Sequence, residues 1–280
     1  GTGYIPMMVN DSNQWYSNEF NETWEKSGGK GCMEPMAEKY NYINHVRIVE
    51  SSPARVVVQW RYPLVDINYV YANYESETGW SDISDWYYYI YPDGRAHKVM
   101  GVWTTGDRNH EFHEGMVITG PNQHPEQVVD INNTLILADA DGNSTSYNWI
   151  GSPPEPDYKG KVIHLINFNN TYDPYTIAEI RAGNAYRREM TDYSIFPSWN
   201  HWPVGQMPSD GRYASFPDRT AHSSFTHIWG FNYSDSSGDR PYYERLLIEG
   251  MTDRYTNNDL AELGVLARSW QSAPAVSNVS

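Results

Sequence analysis

The sequence predicts an all-β protein, an antiparallel β-sandwich that is jelly-roll-like and has one or two short helices. Three observations favour this class. Short runs of alternating polar and apolar residues recur along the chain, turns rich in Gly and Pro separate them, and only one stretch has convincing helical periodicity. We expect one domain over residues 1–280. Because the first residues resemble the middle of a chain, we also expect a fragment or processed part of a longer protein.

Strands are predicted in order along the chain. Residues 45–64 contain two alternating runs joined by a Ser-Ser-Pro turn, and residues 85–103 form a hairpin around Pro-Asp-Gly. Further strands are expected at residues 110–120, 133–139, 158–168 and 242–252. Residues 151–160 are the best candidate for a domain boundary, and we interpret them as a long loop within the single domain.

One short helix is predicted near the end of the chain. It begins near Asp259, and Glu262 three residues later completes a capping box. Leu260, Leu263 and Ala267 share one face of this helix.

The charge and the aromatic content limit the partners. The net charge of −15 argues against nucleic acid or an anionic membrane as the main partner. It leaves an acidic substrate open, because a local Arg cluster is sufficient to hold one. The chain has 23 Tyr and 11 Trp, whose rings combine an apolar face with a polar edge and therefore suit sugar binding.

Residues 109–116 contain four side chains of metal-ligating type: His110, Glu111, His113 and Glu114. Their spacing does not fit a helical zinc motif. On a strand, Glu111 and His113 share one face while His110 and Glu114 share the other, so no three converge. We interpret the segment as a polar edge strand with one or two hydrogen-bonded His.

No cofactor and no zinc site are expected. The single Cys32 excludes a multi-Cys site, and no spacing of His residues converges. A structural Ca²⁺ is the remaining metal, since the acidic turn at residues 139–144 offers Asp and backbone oxygens.

One strand face within residues 45–64 is polar. Arg55, Val57, Gln59 and Arg61 alternate with an apolar face of Val56, Val58, Trp60 and Tyr62. Two interpretations stay open. The polar face is either a solvated outer surface or the concave face of a jelly roll, where Arg and Gln would hold a carboxylate or sulfate.

Residues 199–219 are too broken by Pro and Gly for a helix or a long strand. Together with their extension over residues 216–227 they hold many recognition side chains. The segment includes Trp199, His201, Trp202, Arg212, Tyr213, Arg219 and His222. A loop that folds over one sheet and buries its aromatic side chains against that sheet would explain the aromatic residues. We favour a functional loop, because buried His and Arg need partners and exposed ones need no aromatic neighbours.

Several motifs resemble a group of large secreted β-sandwich proteins of polysaccharide-degrading bacteria. They are "GYIPMMVNDSNQWYSNEF", "SPARVVVQWRYPLVD", "YIYPDG", "NHWPVGQMPSDGR" and "LARSW", and the resemblance covers about residues 4–274. The group includes lyases and oligosaccharide dehydratases that act on ulvan, a sulfated algal polysaccharide containing uronic acid. The resemblance implies a secreted or periplasmic protein that acts on an acidic polysaccharide or oligosaccharide.

The chemistry of the loop fits β-elimination at a uronic acid. This reaction needs a cationic clamp for the carboxylate, a base for the C5 proton and an acid for the leaving oxygen at C4. We assign His201 or His222 as the base and Tyr213 as the acid. Arg212 or Arg219 would clamp the carboxylate, and Gln59 and Arg61 would hold the sugar ring or its sulfate. Trp199 and Trp202 would stack on sugar rings.

Two other classes remain. A glycoside hydrolase would need paired carboxylates, for which Glu111 and Glu114 are the nearest candidates. A non-catalytic carbohydrate-binding domain would use the same aromatic and Arg residues without a base.

Overall fold

The structure is a computed structural model. It describes residues 5–18, 20–38, 40–104, 110–119, 123, 127–148, 160–170, 172–178, 185–187, 221–229, 242–253 and 257–271. For residues 185–187, 221–229, 242–245, 253, 257–258 and 271 it describes the backbone alone. The statements below concern these residues.

A nine-stranded antiparallel sheet forms the larger layer. Its strands are β5 (His45–Ser51), β6 (Val56–Pro63), β7 (Ile83–Ile90), β8 (Ala96–Trp103), β10 (Leu135–Ala138), β11 (Ser144–Tyr147), β12 (Ile163–Ile166), β13 (Tyr172–Ala178) and β16 (Tyr242–Asp253). Their order across the sheet is β11-β10-β12-β13-β16-β8-β7-β6-β5. The two hairpins predicted at residues 45–64 and 85–103 are confirmed as β5–β6 and β7–β8.

A five-stranded sheet forms the smaller layer. Its strands are β1 (Met8–Val9), β2 (Trp15–Asn18), β9 (Glu111–Thr119), β14 (Ala185–Arg187) and β15 (Ala221–Trp229). Their order across the sheet is β1-β2-β9-β15-β14. A separate two-stranded sheet pairs β3 (Thr23–Trp24) with β4 (Cys32–Met33), and a 3-10 turn at Lys26–Gly28 lies between them. The predicted all-β antiparallel sandwich is confirmed.

The inner face of the nine-stranded sheet can be traced across the register. Trp60 pairs with Trp86, and Trp86 pairs with Met100, so the three side chains share a face. Lys98 lies on the same face two residues before Met100, and its Nζ donates to the backbone oxygen of Asn18 in the other sheet. The face that carries these residues is therefore the one that meets the five-stranded sheet.

Aromatic residues fill the core on this inner face. The ring centroids of Trp60 and Trp86 lie 5.7 Å apart in an edge-on contact, and Tyr62 lies 4.4 Å from Trp60. Phe112 from β9 belongs to the same buried cluster, so both sheets contribute to it. The alternation predicted for β6 is confirmed, because its apolar face is the one that packs here.

The predicted helix is present as α1 (Asn257–Gln271). It begins two residues before Asp259, which lies in its first turn, where a carboxylate is favourable next to the N-terminal backbone N–H groups. The face of Leu260, Leu263 and Ala267 is buried against β10, β12 and β13, as the periodicity predicts. None of the helices in the described part of the chain combines the length and apolar character that a membrane crossing requires.

Two predictions about the five-stranded sheet were wrong. The strand at residues 110–120 is not an edge strand, because β9 lies between β2 and β15 and pairs with both. The last part of the predicted loop, from residue 221, is strand β15, which pairs with β9 over Ala221–Trp229. Both outcomes depend on which distant strands pair with each other. The local sequence of a strand does not specify its partners.

Residues on both sides of 151–160 contribute strands to the same nine-stranded sheet. β5 to β8 precede this segment, and β12, β13 and β16 follow it. β16 pairs with β8 on one side and β13 on the other, so the two halves share a continuous ladder.

Candidate functional site

Six buried polar residues meet between the two sheets, and we call them the intersheet polar cluster. They are Asn18, Lys98, His113, His164, Thr176 and Glu249. Each has less than a tenth of its surface exposed. A group of ionisable side chains buried this deeply is costly unless its members satisfy one another, and such groups concentrate at functional sites.

Three of these residues form a row across adjacent strands. His164 of β12 pairs with Thr176 of β13, and Thr176 pairs with Glu249 of β16. Directly opposed residues in an antiparallel sheet point to the same face with side chains about 5 Å apart. The row therefore places an imidazole, a hydroxyl and a carboxyl side by side on the inner face.

Lys98 supplies the positive charge of the cluster. Its Nζ lies 3.4 Å from Oε2 of Glu249 and donates to the backbone oxygen of Asn18 at 2.6 Å. The ammonium also lies 4.8 Å from the ring centroid of Trp86 and 5.2 Å from that of Tyr88, so two aromatic faces contribute to its stabilisation.

Asn18 joins the two sheets at this point. Its Nδ2 donates to Oγ1 of Thr176 at 3.0 Å, and its Oδ1 contacts Nδ1 of His113. The rings of His113 and His164 lie 6.1 Å apart in an edge-on arrangement. Residues from β2 and β9 therefore contact residues from β8, β12, β13 and β16 at a single place.

Burial moves the pKa values of two members in opposite directions. It lowers the pKa of His164 to about 3, so its imidazole is neutral at neutral pH. Burial raises the pKa of Glu249, although Lys98 and Asn18 partly offset the effect. Groups of this kind can exchange protons with a bound molecule, because an uncharged imidazole accepts a proton and a protonated carboxyl donates one.

The sequence-predicted sheet residues lie elsewhere. Gln59 and Arg61 are on the opposite face of β6 from Trp60, away from the five-stranded sheet. Nε2 of Gln59 donates to Oδ1 of Asp85 at 2.8 Å, and Nη1 of Arg61 lies 3.1 Å from Oδ2 of Asp85. Arg55 on the same face pairs with Glu50. Whether the predicted loop reaches this outer face stays a prediction.

The loop residues Trp199, His201, Trp202, Arg212, Tyr213 and Arg219 lie outside the described residues. The backbone of His222 is described, and it pairs with Ile118 of β9. His113 pairs instead with Ile228, six residues further along β15. A strand rises about 3.3 Å per residue, so the backbone positions of His222 and Ile228 are about 20 Å apart. His222 therefore lies in a different part of the sheet from the intersheet polar cluster.

A second group of buried polar atoms lies next to β9. One carboxylate oxygen of Glu22, Sγ of Cys32 and one carboxylate oxygen of Glu34 all lie within 4.8 Å of one another, and we call these residues the Glu-Cys-Glu cluster. Burial raises the pKa of Glu22 well above its usual range, and the neighbouring Cys32, Glu34 and Glu111 raise it further. Burial also raises the pKa of the Cys32 thiol.

The two His of residues 109–116 are hydrogen-bonded, as predicted. Nε2 of His110 lies 2.8 Å from Oδ2 of Asp82, with both side chains fully buried, and His113 bonds to Asn18. In the turn at residues 139–144, Oδ1 of Asp139 accepts backbone N–H groups of Asp141 and Asn143 at 3.0 and 2.9 Å. These two hydrogen bonds occupy one oxygen of the Asp139 carboxylate. Calcium binding at this turn stays a prediction.

The sequence did carry a signal for the intersheet polar cluster. Lys98, His164 and Glu249 each interrupt an otherwise apolar strand at an inward position: "AHKVMGVW", "IHLI" and "LLIEGM". A titratable residue within an apolar run is a candidate for a buried functional group. Their convergence was not visible, because it depends on the order of the strands in the sheet.

Of the known proteins compared, solved structures alone gave proteins similar to this chain. Neither the protein-family models nor the curated proteins gave a match. Among solved structures, an α-N-acetylgalactosaminidase from Bifidobacterium bifidum is similar with 9% identity and a TM-score of 0.46, over 95% of this chain and 37% of that chain. A galactose 1-epimerase from Lactobacillus acidophilus NCFM has 9% identity and a TM-score of 0.33, over 88% and 76%.

The chain spans about a third of the length of the first of these structures. Both TM-scores are low, and neither likeness carries an argument about function.

Proposed function

We propose that the chain is a carbohydrate-active enzyme that catalyses β-elimination at a uronic acid of an acidic, ulvan-like polysaccharide or oligosaccharide. It would be a lyase if the leaving group is a sugar and a dehydratase if it is a hydroxyl. The observation that carries the proposal is the intersheet polar cluster, in which a neutral imidazole, an ammonium and a carboxyl with a raised pKa lie together. The resemblance of the sequence motifs supports the substrate class and a secreted location.

The cluster supplies each group that elimination needs. Lys98 neutralises the uronate carboxylate, which lowers the free energy of the enolate-like transition state. The carboxylate of a bound uronate would raise the pKa of His164 from about 3, which strengthens the imidazole as a base. The imidazole then takes the proton from C5, and the C5–H electron pair forms the C4=C5 double bond. The C4–O bond breaks. Once Lys98 pairs with the uronate, the buried carboxyl of Glu249 loses its cation and binds a proton, which it donates to the departing oxygen.

The loop residues predicted from the sequence would take part in the same elimination reaction. Arg212 and Arg219 would add to the carboxylate clamp, and Trp199 and Trp202 would stack on neighbouring sugar rings. His201 and Tyr213 are the alternative base and acid. His222 is the less suitable base. Its backbone position in β15 is about 20 Å along the strand from Ile228, the residue that pairs with His113.

The test is incubation of the protein with a panel of uronate polysaccharides and oligosaccharides while near-ultraviolet absorbance is recorded. Elimination creates an unsaturated uronate that absorbs there, and the proposal expects this product. A new reducing end without absorbance would show a glycoside hydrolase instead, and unchanged substrate that still binds would show a carbohydrate-binding domain. Either result overturns the proposal.

Variants then locate the base. His164→Gln should lower turnover by roughly 10²–10⁴-fold with little change in KM, the range for a lost general base. His97→Gln is the matched control, because it is the same substitution on the other face of β8 from Lys98, where His97 lies near Trp270 of α1, and it should keep wild-type turnover. Circular dichroism confirms that each variant is folded. If His164→Gln is folded and fully active while His201→Ala is inactive, the base lies in the loop.

A further inference from the structure

The Glu-Cys-Glu cluster is independent of the intersheet polar cluster and has the composition of a metal site. We propose that Glu22, Cys32 and Glu34 bind a Zn²⁺ ion, with water as the fourth ligand. This proposal departs from the prediction made from the sequence, which was that there is no zinc site, because the chain has one Cys and no convergent His spacing. The structure brings together a different set of ligands, one thiol and two carboxyls.

The backbone holds the three residues in place from separate directions. Trp24 pairs with Cys32 in the two-stranded sheet, so Glu22 and Glu34 lie just beyond its two strands. The backbone N–H groups of Glu22 and Glu111 each donate to the other's carbonyl oxygen, at 3.1 and 2.9 Å. The backbone N–H of Glu34 donates to Val65 at 2.9 Å. The ligands are thus on paired backbone rather than on a mobile loop.

The distances fit one small cation. Zn²⁺ binds carboxylate oxygen at about 2.0–2.2 Å and thiolate sulfur at about 2.3 Å, so tetrahedral ligands lie roughly 3.5 Å from one another. The three ligand atoms of the cluster lie within 4.8 Å of one another. Ligand atoms at this upper limit would have to move closer together when Zn²⁺ binds.

One buried oxygen of the cluster is available to a cation. Glu22 is 4% exposed, and its Oε2 has no hydrogen-bond partner. Glu34 and Glu111 are carboxyl groups beside Glu22, and Glu34 is hydrogen-bonded to it. A buried carboxylate among like charges is unfavourable, and a divalent cation removes this cost by replacing repulsion with coordination.

The ligand types select the metal. Ca²⁺ and Mg²⁺ prefer oxygen alone, whereas a thiolate with two carboxylates suits a borderline ion such as Zn²⁺. Three protein ligands leave a fourth position for water, which is the arrangement of catalytic rather than structural zinc sites.

Cobalt provides a direct test, because Co²⁺ replaces Zn²⁺ and reports its ligands by absorption. The protein is stripped with a chelator, dialysed and titrated with Co²⁺. One equivalent should bind, with visible bands of tetrahedral Co²⁺ and a near-ultraviolet thiolate-to-Co²⁺ band. Since Cys32 is the only cysteine, that band identifies it as a ligand. Zn²⁺ should then displace Co²⁺ and remove both absorptions.

Variants test the two carboxylates and the thiol. Cys32→Ser should abolish the thiolate band, and Glu22→Gln or Glu34→Gln should weaken Zn²⁺ affinity by about 100-fold or more. Asp141→Asn in the acidic turn at residues 139–144 is the control and should bind Zn²⁺ like the wild type. Unchanged Zn²⁺ affinity in all three cluster variants, or loss in Asp141→Asn alone, would overturn the site.

A measurement on the unmodified protein covers the case in which the variants do not fold. The Zn²⁺-loaded protein is titrated with an organic mercurial while a colorimetric chelator reports released zinc. The proposal expects one Zn²⁺ released per Cys32 thiol modified. Zinc that stays bound after the thiol has reacted, or a chain that takes up no Zn²⁺ after dialysis, contradicts it.

Discussion

The imidazole of His164 is kept neutral by burial, and this has a consequence for stability. Its pKa falls from 6.5 to about 3 on folding, so between these values the unfolded chain binds a proton that the folded chain does not. Stability is therefore complete above about pH 6.5 and is lost as the pH falls toward 3, by up to about 1.4 kcal/mol per pH unit.

Urea unfolding of the wild type and His164→Gln at a series of pH values measures this contribution. The variant has no imidazole to protonate, so its free energy of unfolding should fall less steeply between pH 6.5 and pH 4. The difference between the two curves isolates His164 from the carboxylates that titrate in the same range. Parallel curves would mean that His164 is not buried as a neutral group.

The pair of Lys98 and Glu249 is the second residue-scale feature. Both side chains are buried, at 0% and 6% exposure, and they lie 3.4 Å apart. Lys98→Met should destabilise the fold by roughly 3–5 kcal/mol, because it leaves a carboxyl buried without its cation. The double variant Lys98→Met/Glu249→Leu should recover much of this loss, since no charge is left unpaired.

The exposed pair of Arg55 and Glu50 is the matched control for Lys98. It has a bidentate geometry, with distances of 2.9 and 2.8 Å, yet water competes for both groups. Arg55→Met should leave the urea midpoint unchanged within error. If Lys98→Met also leaves it unchanged, the buried pair contributes nothing to stability.

At the scale of elements, α1 is held to the sheet by close contact at Gly264. A Cβ added there would lie 2.7 Å from the backbone oxygen of Ala140, and backbone cannot move away as a flexible side chain would. Arg268 in the last turn also donates to that oxygen. The helix and the turn after β10 are therefore in contact through backbone.

Gly264→Ala should destabilise the protein despite the higher helix propensity of Ala. The propensity gain of about 1 kcal/mol is smaller than the overpacking cost of about 1–3 kcal/mol, so we expect a net loss of roughly 1–2 kcal/mol. Val265→Ala is the control one residue along, on the exposed side, and should keep or slightly raise the melting temperature. A stabilised Gly264→Ala would show that the helix does not press against Ala140.

The elements also show what sequence could and could not predict. The β5–β6 and β7–β8 hairpins were predictable, because alternation and turn residues are local properties. Strand β13 was missed, since Pro174 interrupts its pattern, although Pro174 pairs with Met251 in the sheet. The edge position assigned to β9 was wrong because strand neighbours depend on pairing between distant parts of the chain.

At the scale of the whole molecule, the intersheet polar cluster exists only when both sheets are in place. Asn18 comes from the smaller sheet, and Lys98, Thr176 and Glu249 come from the larger one. No short motif can encode such a site, because each residue on its own is a polar residue in an apolar strand. The loop chemistry that the sequence did reveal, around His201 and Tyr213, remains a prediction about residues outside this description.

The net charge of −15 gives the whole molecule a negative field that opposes an anionic substrate at long range. If the proposed uronate substrate is correct, kcat/KM at low substrate concentration should rise with salt. The Debye length shortens from about 30 Å at 0.01 M to about 10 Å at 0.1 M, so distant repulsion is screened before the contacts with Lys98 are. We expect a rise of roughly 3–10-fold over this range, with kcat unchanged, because association alone feels the long-range field.

Initial rates of product formation over a series of salt concentrations measure this effect, and two exposed carboxylates supply the matched control. Asp11→Asn with Glu77→Gln changes the net charge from −15 to −13 and should flatten the salt dependence without changing kcat. A kcat/KM that falls steadily from the lowest salt concentration would mean that a local positive field attracts the substrate. The loop residues Arg212 and Arg219 would then be the first to substitute, since they are the cations that the sequence places nearest the predicted base.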